Sequence, residues 1–302
     1  MYQVLNPSSS RFESIRGLSY HVRQWGAPAG RPLVLAHGWM DVAASWQFMV
    51  DAFTPAFLEQ HCIVAFDWRG FGLTRHPGTD CYWFPDYLAD LDALLDRLFP
   101  DTPIDLVGHS MGGNVVMMYA GARPARIRRL VNLEGFGMAA TRPAQAPARM
   151  AQWLDELKAQ RLEKPALKPY PDAAAVAARL MKTNHRLPQD KADWLAQHWA
   201  QPGADGQWHI LGDAAHKVAN PYLFRVDEAL ALYSHISAPV LSVLASDDSL
   251  SGWWKGRYTL QEFQERLKSV PSVQTTTLQD TGHMLHHDQP RALAVLLESF
   301  LA

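Results

Sequence analysis

The chain has 302 residues, of which 48% are hydrophobic, and this is ample for one large buried core or two ordinary ones. Lysine and arginine total 28 against 30 acidic residues, so the formal charge is only -2 and nucleic acid is not expected as a partner. No apolar stretch reaches the ~18 residues of a membrane span, and the start lacks the basic and apolar regions of a signal peptide. We therefore expect a globular, cytoplasmic protein whose two cysteines are ordinary thiols.

In chain order, an antiparallel hairpin pattern comes first, at Phe12–Ile15 and Leu18–Trp25. Short apolar runs bounded by Gly, Pro or Asp then predict buried strands, and patterns with apolar spacings of three and four predict helices between them. The alternation indicates an α/β fold with a mostly parallel sheet covered by helices on both faces. The predicted strands are Leu33–Ala36, Cys62–Phe66, Ile104–Val107, Leu130–Leu133, Val240–Leu244 and Val273–Leu278, and the predicted helices are Trp83–Leu98, Met111–Ala122, Leu260–Leu267 and Pro290–Leu301.

The alternation stops between Gly137 and Asp227, where a Pro- and Ala-rich stretch leads into helical patterns without credible strands. We interpret this segment as an inserted helical cap, so that residues 1–136 and 228–302 form the core domain and residues 137–227 the cap. Trp194 lies on a Trp-rich helix face that is expected to line a pocket, although packing against the main domain is the commoner reason for such a face. The expected cap helices are Arg149–Gln160, Asp172–Lys182 and Asp190–Ala200.

The stretch GHSMG, from Gly108 to Gly112, fits the G-x-S-x-G pattern of a nucleophilic serine. A predicted strand ends just before it and a predicted helix begins just after it, which is the context that this pattern requires. A serine needs a base, because its hydroxyl is a poor nucleophile at neutral pH. We predict Ser110 as the nucleophile and His283, between the last strand and the last helix, as its base.

A carboxylate should orient the base and stabilise its charged form. The strand Val240–Leu244 leads directly to Asp247 and Asp248, and the strand Leu130–Leu133 leads to Glu134. All three lie at the carboxyl edge of the predicted sheet. We favour Asp248, keep Glu134 as the alternative and place Asp247 third.

The segment AHGWM, at residues 36–40, follows the first parallel strand, where an oxyanion hole is expected. The backbone amides of Trp39 and Met111 are predicted to stabilise the oxyanion. His37, Gly38 and His109 are expected to line the substrate pocket together with Trp194.

The neighbouring His286, His287 and Asp288 raise the question of a metal site close to His283. No second ligand cluster has a recognisable spacing, and neighbouring histidines at a helix start are ordinary. We predict no metal site.

Four motifs resemble the α/β-hydrolase superfamily: HGWMD at His37, DWRGFG at Asp67, GHSMGGN at Gly108 and DTGHMLHHDQP at Asp280. The first half of the chain is most similar to serine hydrolase-like proteins. The resemblance implies an eight-stranded core, a cap inserted after the sixth strand, and a triad of Ser110, His283 and an acid. Haloalkane dehalogenases and epoxide hydrolases share this architecture but use an aspartate nucleophile, which makes both activities unexpected here. Some dehalogenases carry their acid at a place that resembles Glu134, so the identity of the triad acid stays open.

The sequence thus predicts a serine hydrolase that cleaves a small, largely apolar carboxylic ester through an acyl-enzyme, with water as the second substrate and no cofactor. Two alternatives remain: a carbon–carbon bond hydrolase of aromatic breakdown products, and a non-catalytic ligand-binding module on the same scaffold. The sequence indicates neither the natural substrate nor the oligomeric state.

Overall fold

The structure is a computed structural model that describes residues 2–162 and 166–302. Ten strands lie in these residues, and eight of them agree with the predicted strands to within a few residues at each end. They are β1 (Ser9–Ile15), β2 (Leu18–Gly26), β3 (Arg31–Ala36), β4 (His61–Phe66), β5 (Ile104–His109), β6 (Ile127–Leu133), β7 (Ala200–Pro202), β8 (Trp208–Ile210), β9 (Val240–Ala245) and β10 (Val273–Leu278).

Eight of these strands form one twisted layer in the order β1-β2-β4-β3-β5-β6-β9-β10. The β1–β2 hairpin is antiparallel and joins the sheet through an antiparallel pairing of β2 with β4, and the other pairings are parallel. The predicted eight-stranded, mostly parallel sheet is confirmed. Because β3, β4, β5, β6, β9 and β10 run in the same direction, the residues that follow them meet at one carboxyl edge.

Helices cover the sheet, and the four helices predicted for the main domain are present at nearly the predicted positions. Side chains cap several helix starts, as at Thr259, whose hydroxyl accepts a hydrogen bond from the Glu262 N–H. The helices are α1 (Gln47–Val50), α2 (Pro55–Gln60), α3 (Phe84–Leu98), α4 (Met111–Ala122), α5 (Ala146–Leu162), α6 (Ala173–Thr183), α7 (Gln189–Trp199), α8 (Val226–Ser234), α9 (Ser249–Trp254), α10 (Leu260–Leu267), α11 (Leu285–Asp288) and α12 (Pro290–Leu301).

The core lies on both faces of the sheet, because successive strand residues point to opposite sides. Val34 and Val64 belong to the apolar cluster on one face, and Leu33, Leu35 and Ile63 belong to the cluster on the other. All five are fully buried. Such two-sided burial explains why these strands read as continuous apolar runs rather than as alternating patterns.

The segment between β6 and β9 contains the three predicted helices, here α5, α6 and α7, and also a short antiparallel pair, β7 and β8. The expectation of no strand in this segment was therefore wrong. Each strand of the pair has three residues, too few for a period of two to be visible in the sequence. No helix within residues 2–162 and 166–302 has the length and apolar character needed to cross a membrane.

The loop between α6 and α7 is tied to the main sheet by side chains. Arg186 makes two hydrogen bonds to the Asp247 carboxylate, at 2.6 and 3.1 Å. The Asn184 amide donates to one Asp288 oxygen at 2.7 Å, and the other Asp288 oxygen accepts from the Gly282 N–H at 2.8 Å. The helical segment is thus bonded to the loop that carries His283.

Candidate active site

Ser110 lies in a tight turn between β5 and α4. Its backbone has φ 52° and ψ −115°, in a region that costs a non-glycine residue about 1–3 kcal/mol. The Ser110 N–H donates to the Leu133 carbonyl oxygen at 2.9 Å, which holds the turn against β6. The strand, turn and helix therefore present this serine at the carboxyl edge of the sheet, as the motif requires.

The two glycines of the motif are required by close packing. A Cβ on Gly108 would lie 2.5 Å from the Gly112 carbonyl oxygen, and a Cβ on Gly112 would lie closer still to the Ala36 carbonyl oxygen. Both neighbours are backbone atoms and cannot rotate away. Only glycine at both positions lets α4 start directly after Ser110 while packing against β3.

His283 is held on the loop after β10 by backbone and side-chain contacts. The His109 side chain donates from Nε2 to the His283 carbonyl oxygen at 2.7 Å. The His283 ring packs edge-on against Trp253, with ring centres 4.2 Å apart. Burial lowers the pKa of His283 to about 3, so its imidazole is neutral at neutral pH.

The carboxylate beside His283 is Glu134, which follows β6 directly. Its Oε2 lies 3.4 Å from His283 Nδ1. The carboxylate is 2% exposed and accepts hydrogen bonds from the Ala245 N–H and the Ser249 hydroxyl, both at 2.7 Å. Burial raises the pKa of Glu134 to about 7, against the lowering effect of these two hydrogen bonds.

The geometry does not support the preference for Asp248 as the acid. Its carboxylate is exposed and accepts the Ser251 N–H at 2.9 Å, as the N-cap of α9. Asp247 is paired with Arg186, which lowers the pKa of this exposed carboxyl group. Both aspartates are used in local contacts, whereas Glu134 contacts the imidazole.

No hydrogen bond joins Ser110 Oγ to His283 within residues 2–162 and 166–302. Hydrogen bonds of this kind are often long without substrate and shorten in the reacting complex. The 3.4 Å contact between Glu134 and His283 is likewise longer than a usual charge-assisted bond.

A cavity of about 1610 Å³ lies over this edge of the sheet. Ser110, Trp39, Met111, Glu134 and Trp253 all line it, and Trp39 is 50% exposed. The backbone amides of Trp39 and Met111 donate to no other group in the described part of the chain. Both residues predicted for the oxyanion hole are thus at the cavity beside Ser110.

The four residues predicted to line the pocket do not line this cavity. His37 is fully buried and accepts the Trp68 N–H at Nε2, and His109 is bonded to the His283 loop. Gly38 packs against Ser110, where a Cβ on Gly38 would lie 3.2 Å from Ser110 Cβ. Trp194 packs edge-on against Phe48 and Tyr2 of the main domain, which is the commoner use of such a helix face.

The buried side chains of Asp41, His286 and His287 are close enough to share a metal ion. The Ser45 hydroxyl already lies between them: it donates to Asp41 at 2.8 Å and accepts from His286 and His287 at 3.0 and 2.6 Å. Burial holds the pKa of both histidines well below its usual range, so both rings are neutral. We describe this group as a buried hydrogen-bond network next to the loop that carries His283.

Sequence reasoning missed two residues of the site, Ser249 and Trp253. Ser249 bonds the Glu134 carboxylate, and Trp253 packs against His283. Both residues lie on α9, directly after Asp247 and Asp248. Their position soon after a strand that was predicted to end at the site could have identified them.

Three comparisons with known proteins agree with this fold. A family model described as the alpha/beta hydrolase fold matches residues 31–290. A "Serine hydrolase-like protein" of Danio rerio is 27% identical over 282 residues, covering 92% of this chain and 83% of that protein. A "2-hydroxy-6-oxo-2,4-heptadienoate hydrolase" of Pseudomonas putida is 31% identical over 137 residues, covering 44% of this chain and 47% of that protein. Among solved structures, a "Thioesterase Domain From Curacin Biosynthetic Pathway" superimposes with a TM-score of 0.84 at 25% identity, covering 97% of this chain and 100% of that one.

Proposed function

Because the chain belongs to the α/β-hydrolase family, we propose that it is a serine hydrolase that cleaves a carboxylic ester through an acyl-enzyme. The observation that carries the proposal is Ser110 itself, held at positive φ between β5 and α4 and facing the cavity. Apolar side chains dominate the cavity wall, which supports a largely apolar substrate. The volume of about 1610 Å³ exceeds the needs of a small ester and supports a longer chain.

In the proposed reaction His283 Nε2 takes the proton of Ser110 Oγ as this oxygen attacks the ester carbonyl carbon. The amides of Trp39 and Met111 donate to the oxyanion of the tetrahedral intermediate. His283 then gives its proton to the leaving alcohol oxygen, and the acyl group remains on Ser110. Water, activated by the same imidazole, attacks the acyl carbon and releases the carboxylic acid.

Glu134 is the acid of this proposal. Its carboxylate accepts from His283 Nδ1–H, which sets the tautomer that leaves Nε2 free to accept the serine proton. It also stabilises the imidazolium that forms during attack. Asp248 is replaced in this role, because its carboxylate is engaged at the start of α9.

We further propose that residues 137–227 act as a cap over the cavity, with residues 1–136 and 228–302 as the core. The cavity wall supports this division, because it draws on both parts: Ser110 and Trp253 come from the core, and Met138, Arg149 and Phe224 come from the segment between β6 and β9.

The test combines labelling by a fluorophosphonate probe with turnover of p-nitrophenyl esters. Wild-type protein should be labelled and active, and Ser110→Ala should show neither property. Glu134→Gln should lose roughly 10³–10⁴ in turnover, as a triad acid does, while the matched variant Asp248→Asn should stay close to wild type.

Full esterase activity in Ser110→Ala would contradict the proposed function. Equal losses of turnover in Glu134→Gln and Asp248→Asn would contradict the assignment of Glu134 as the acid and leave the rest of the proposal intact. A folded wild-type protein that neither reacts with the probe nor turns over esters would point to a ligand-binding module on this scaffold.

A second candidate function is carbon–carbon bond hydrolysis. It is favoured by the similarity to the Pseudomonas putida protein, whose name describes hydrolysis of a 2-hydroxy-6-oxo dienoate. Turnover of such a dienoate with a kcat/KM above that of every ester tried would favour this candidate over the esterase.

A further inference from the structure

Four arginines from three separate parts of the chain line the cavity that contains Ser110. Arg142 and Arg149 come from the start of the helical segment, Arg225 directly precedes α8, and Arg257 follows α9. In residues 2–162 and 166–302, the acidic side chains that line the same cavity are Glu134 and Glu228. The chain as a whole carries a formal charge of -2, so this concentration of positive charge is local.

Arg225 is neutralised by Asp227, with Nη2 and Oδ2 2.8 Å apart. The other three arginines form no ion pair with a carboxylate in the described part of the chain. Arg257 lies over the Trp254 ring, with its guanidinium carbon 5.8 Å from the ring centre. The three guanidinium groups therefore remain available to an anion.

Arg149 is the best positioned of the three, because it is half-buried and held by neutral groups. Its Nε donates to the Asn220 carbonyl oxygen at 2.8 Å, and Nη1 lies 3.5 Å from Gln152 Oε1. These contacts fix the plane of the guanidinium without balancing its charge. A planar, oriented guanidinium matches the geometry of a carboxylate or a phosphate.

From this arrangement we infer that the substrate carries an anionic oxygen group, a carboxylate or a phosphate, that binds Arg149 with support from Arg142 and Arg257 while the ester carbonyl lies at Ser110. The inference rests on the proposed function and narrows its substrate class. Phe136, Met138 and Phe224 line the same cavity with apolar surface. The substrate is therefore an amphipathic ester with an apolar chain that ends in the anionic group.

The experiment compares matched esters that differ only in terminal charge. One series contains mono-p-nitrophenyl esters of dicarboxylic acids of increasing length, and the second contains the same compounds with the free carboxylate converted to a methyl ester. At the best length the carboxylate should be preferred by about tenfold or more in kcat/KM, as expected for a charge-assisted pair. A third series with a terminal phosphate distinguishes the two anions.

Arg149→Gln should reduce the ratio of the charged to the methylated ester to near one. The matched control is Arg179→Gln, on α6, since Arg179 is exposed, bonds to Thr183 and does not line the cavity. This control should keep the wild-type ratio. Added salt should also lower the ratio in the wild-type protein, because it screens the pairing.

Hydrolysis of the methylated esters without any preference for a charged one, at every length, would overturn the inference and leave the proposed function intact. A preference that survives Arg149→Gln would also overturn it.

A binding measurement tests the inference even if no ester is turned over. Monomethyl suberate and dimethyl suberate are titrated against Ser110→Ala protein and followed by tryptophan fluorescence, since Trp39, Trp253 and Trp254 line the cavity. Tighter binding of the monoanion, lost in the double variant with Arg149→Gln, supports the inference. Equal binding of the two compounds contradicts it.

Discussion

The carboxyl group of Glu134 should make the stability of the folded protein depend on pH in a way that one substitution removes. Burial raises its pKa in the folded protein, so the folded state holds this proton more tightly than the unfolded state. The stabilising contribution is fully present below the unfolded pKa and is lost as the pH rises through the folded pKa. Glu134→Gln has no such proton and should lack this dependence.

The size of the effect follows from the two pKa values. The pKa of Glu134 moves from 4.5 to about 7, and each unit corresponds to about 1.4 kcal/mol, so roughly 3 kcal/mol is lost through this group between about pH 4 and pH 8. The buried histidines also make stability depend on pH, because burial lowers their pKa values below those of the unfolded state. The quantity to measure is therefore the difference in unfolding free energy between wild type and Glu134→Gln.

Urea unfolding of both proteins at a series of pH values gives this difference. Wild type should gain stability relative to Glu134→Gln as the pH falls from about 8 to 5, by roughly 2–3 kcal/mol over the range that linkage predicts. Glu59→Gln is the matched control, because Glu59 is exposed on α2, and its pH dependence should follow wild type. Parallel curves for wild type and Glu134→Gln would refute the claim that the Glu134 carboxyl is buried and proton-binding.

Two further predictions concern the nucleophile turn and the reaction. Gly112→Ala should lower the thermal unfolding midpoint by several degrees and abolish labelling of Ser110, because the new methyl group clashes with the Ala36 carbonyl oxygen. The control Gly252→Ala should be neutral or stabilising, because no atom lies within 4 Å of a Cβ at that position. Similar midpoints for both variants would contradict the steric argument. The kcat/KM of wild type should fall as the pH drops through about 7, because Glu134 then takes up a proton and stops orienting His283. A kcat/KM that stays constant down to about pH 5 would contradict the acid assignment.

The strands and the nucleophile turn were predictable from sequence because one physical requirement fixed each of them. A parallel strand buried on both faces must be apolar at nearly every position, and this gives the continuous runs that mark β3, β4 and β5. The turn at Ser110 needs glycine where backbone atoms approach closely, and both glycines are visible in the printed sequence.

The carboxylate beside His283 was harder to predict because β6 and β9 are neighbours and both are followed by carboxylates at the same edge. Which carboxylate reaches His283 depends on local backbone direction: Glu134 has φ 55°, whereas Asp248 precedes a helix and caps it. Neither the backbone direction at Glu134 nor the capping role of Asp248 produces a periodic pattern in the sequence. Similarly, the apolar face of α7 was visible, but whether Trp194 meets a pocket or Phe48 depends on packing between distant segments.

The hydrogen bonds of the α6–α7 loop to Asp247 and Asp288 link this loop to the position of His283. Asn184 and the Gly282 N–H share the Asp288 carboxylate, and Gly282 is the residue directly before His283. An outward swing of this loop gives up the Asn184 bond and the pair of Arg186 with Asp247 together, and it releases one of the two partners that hold Asp288. The position of the α6–α7 loop and the placement of the His283 imidazole are therefore coupled through the Asp288 carboxylate.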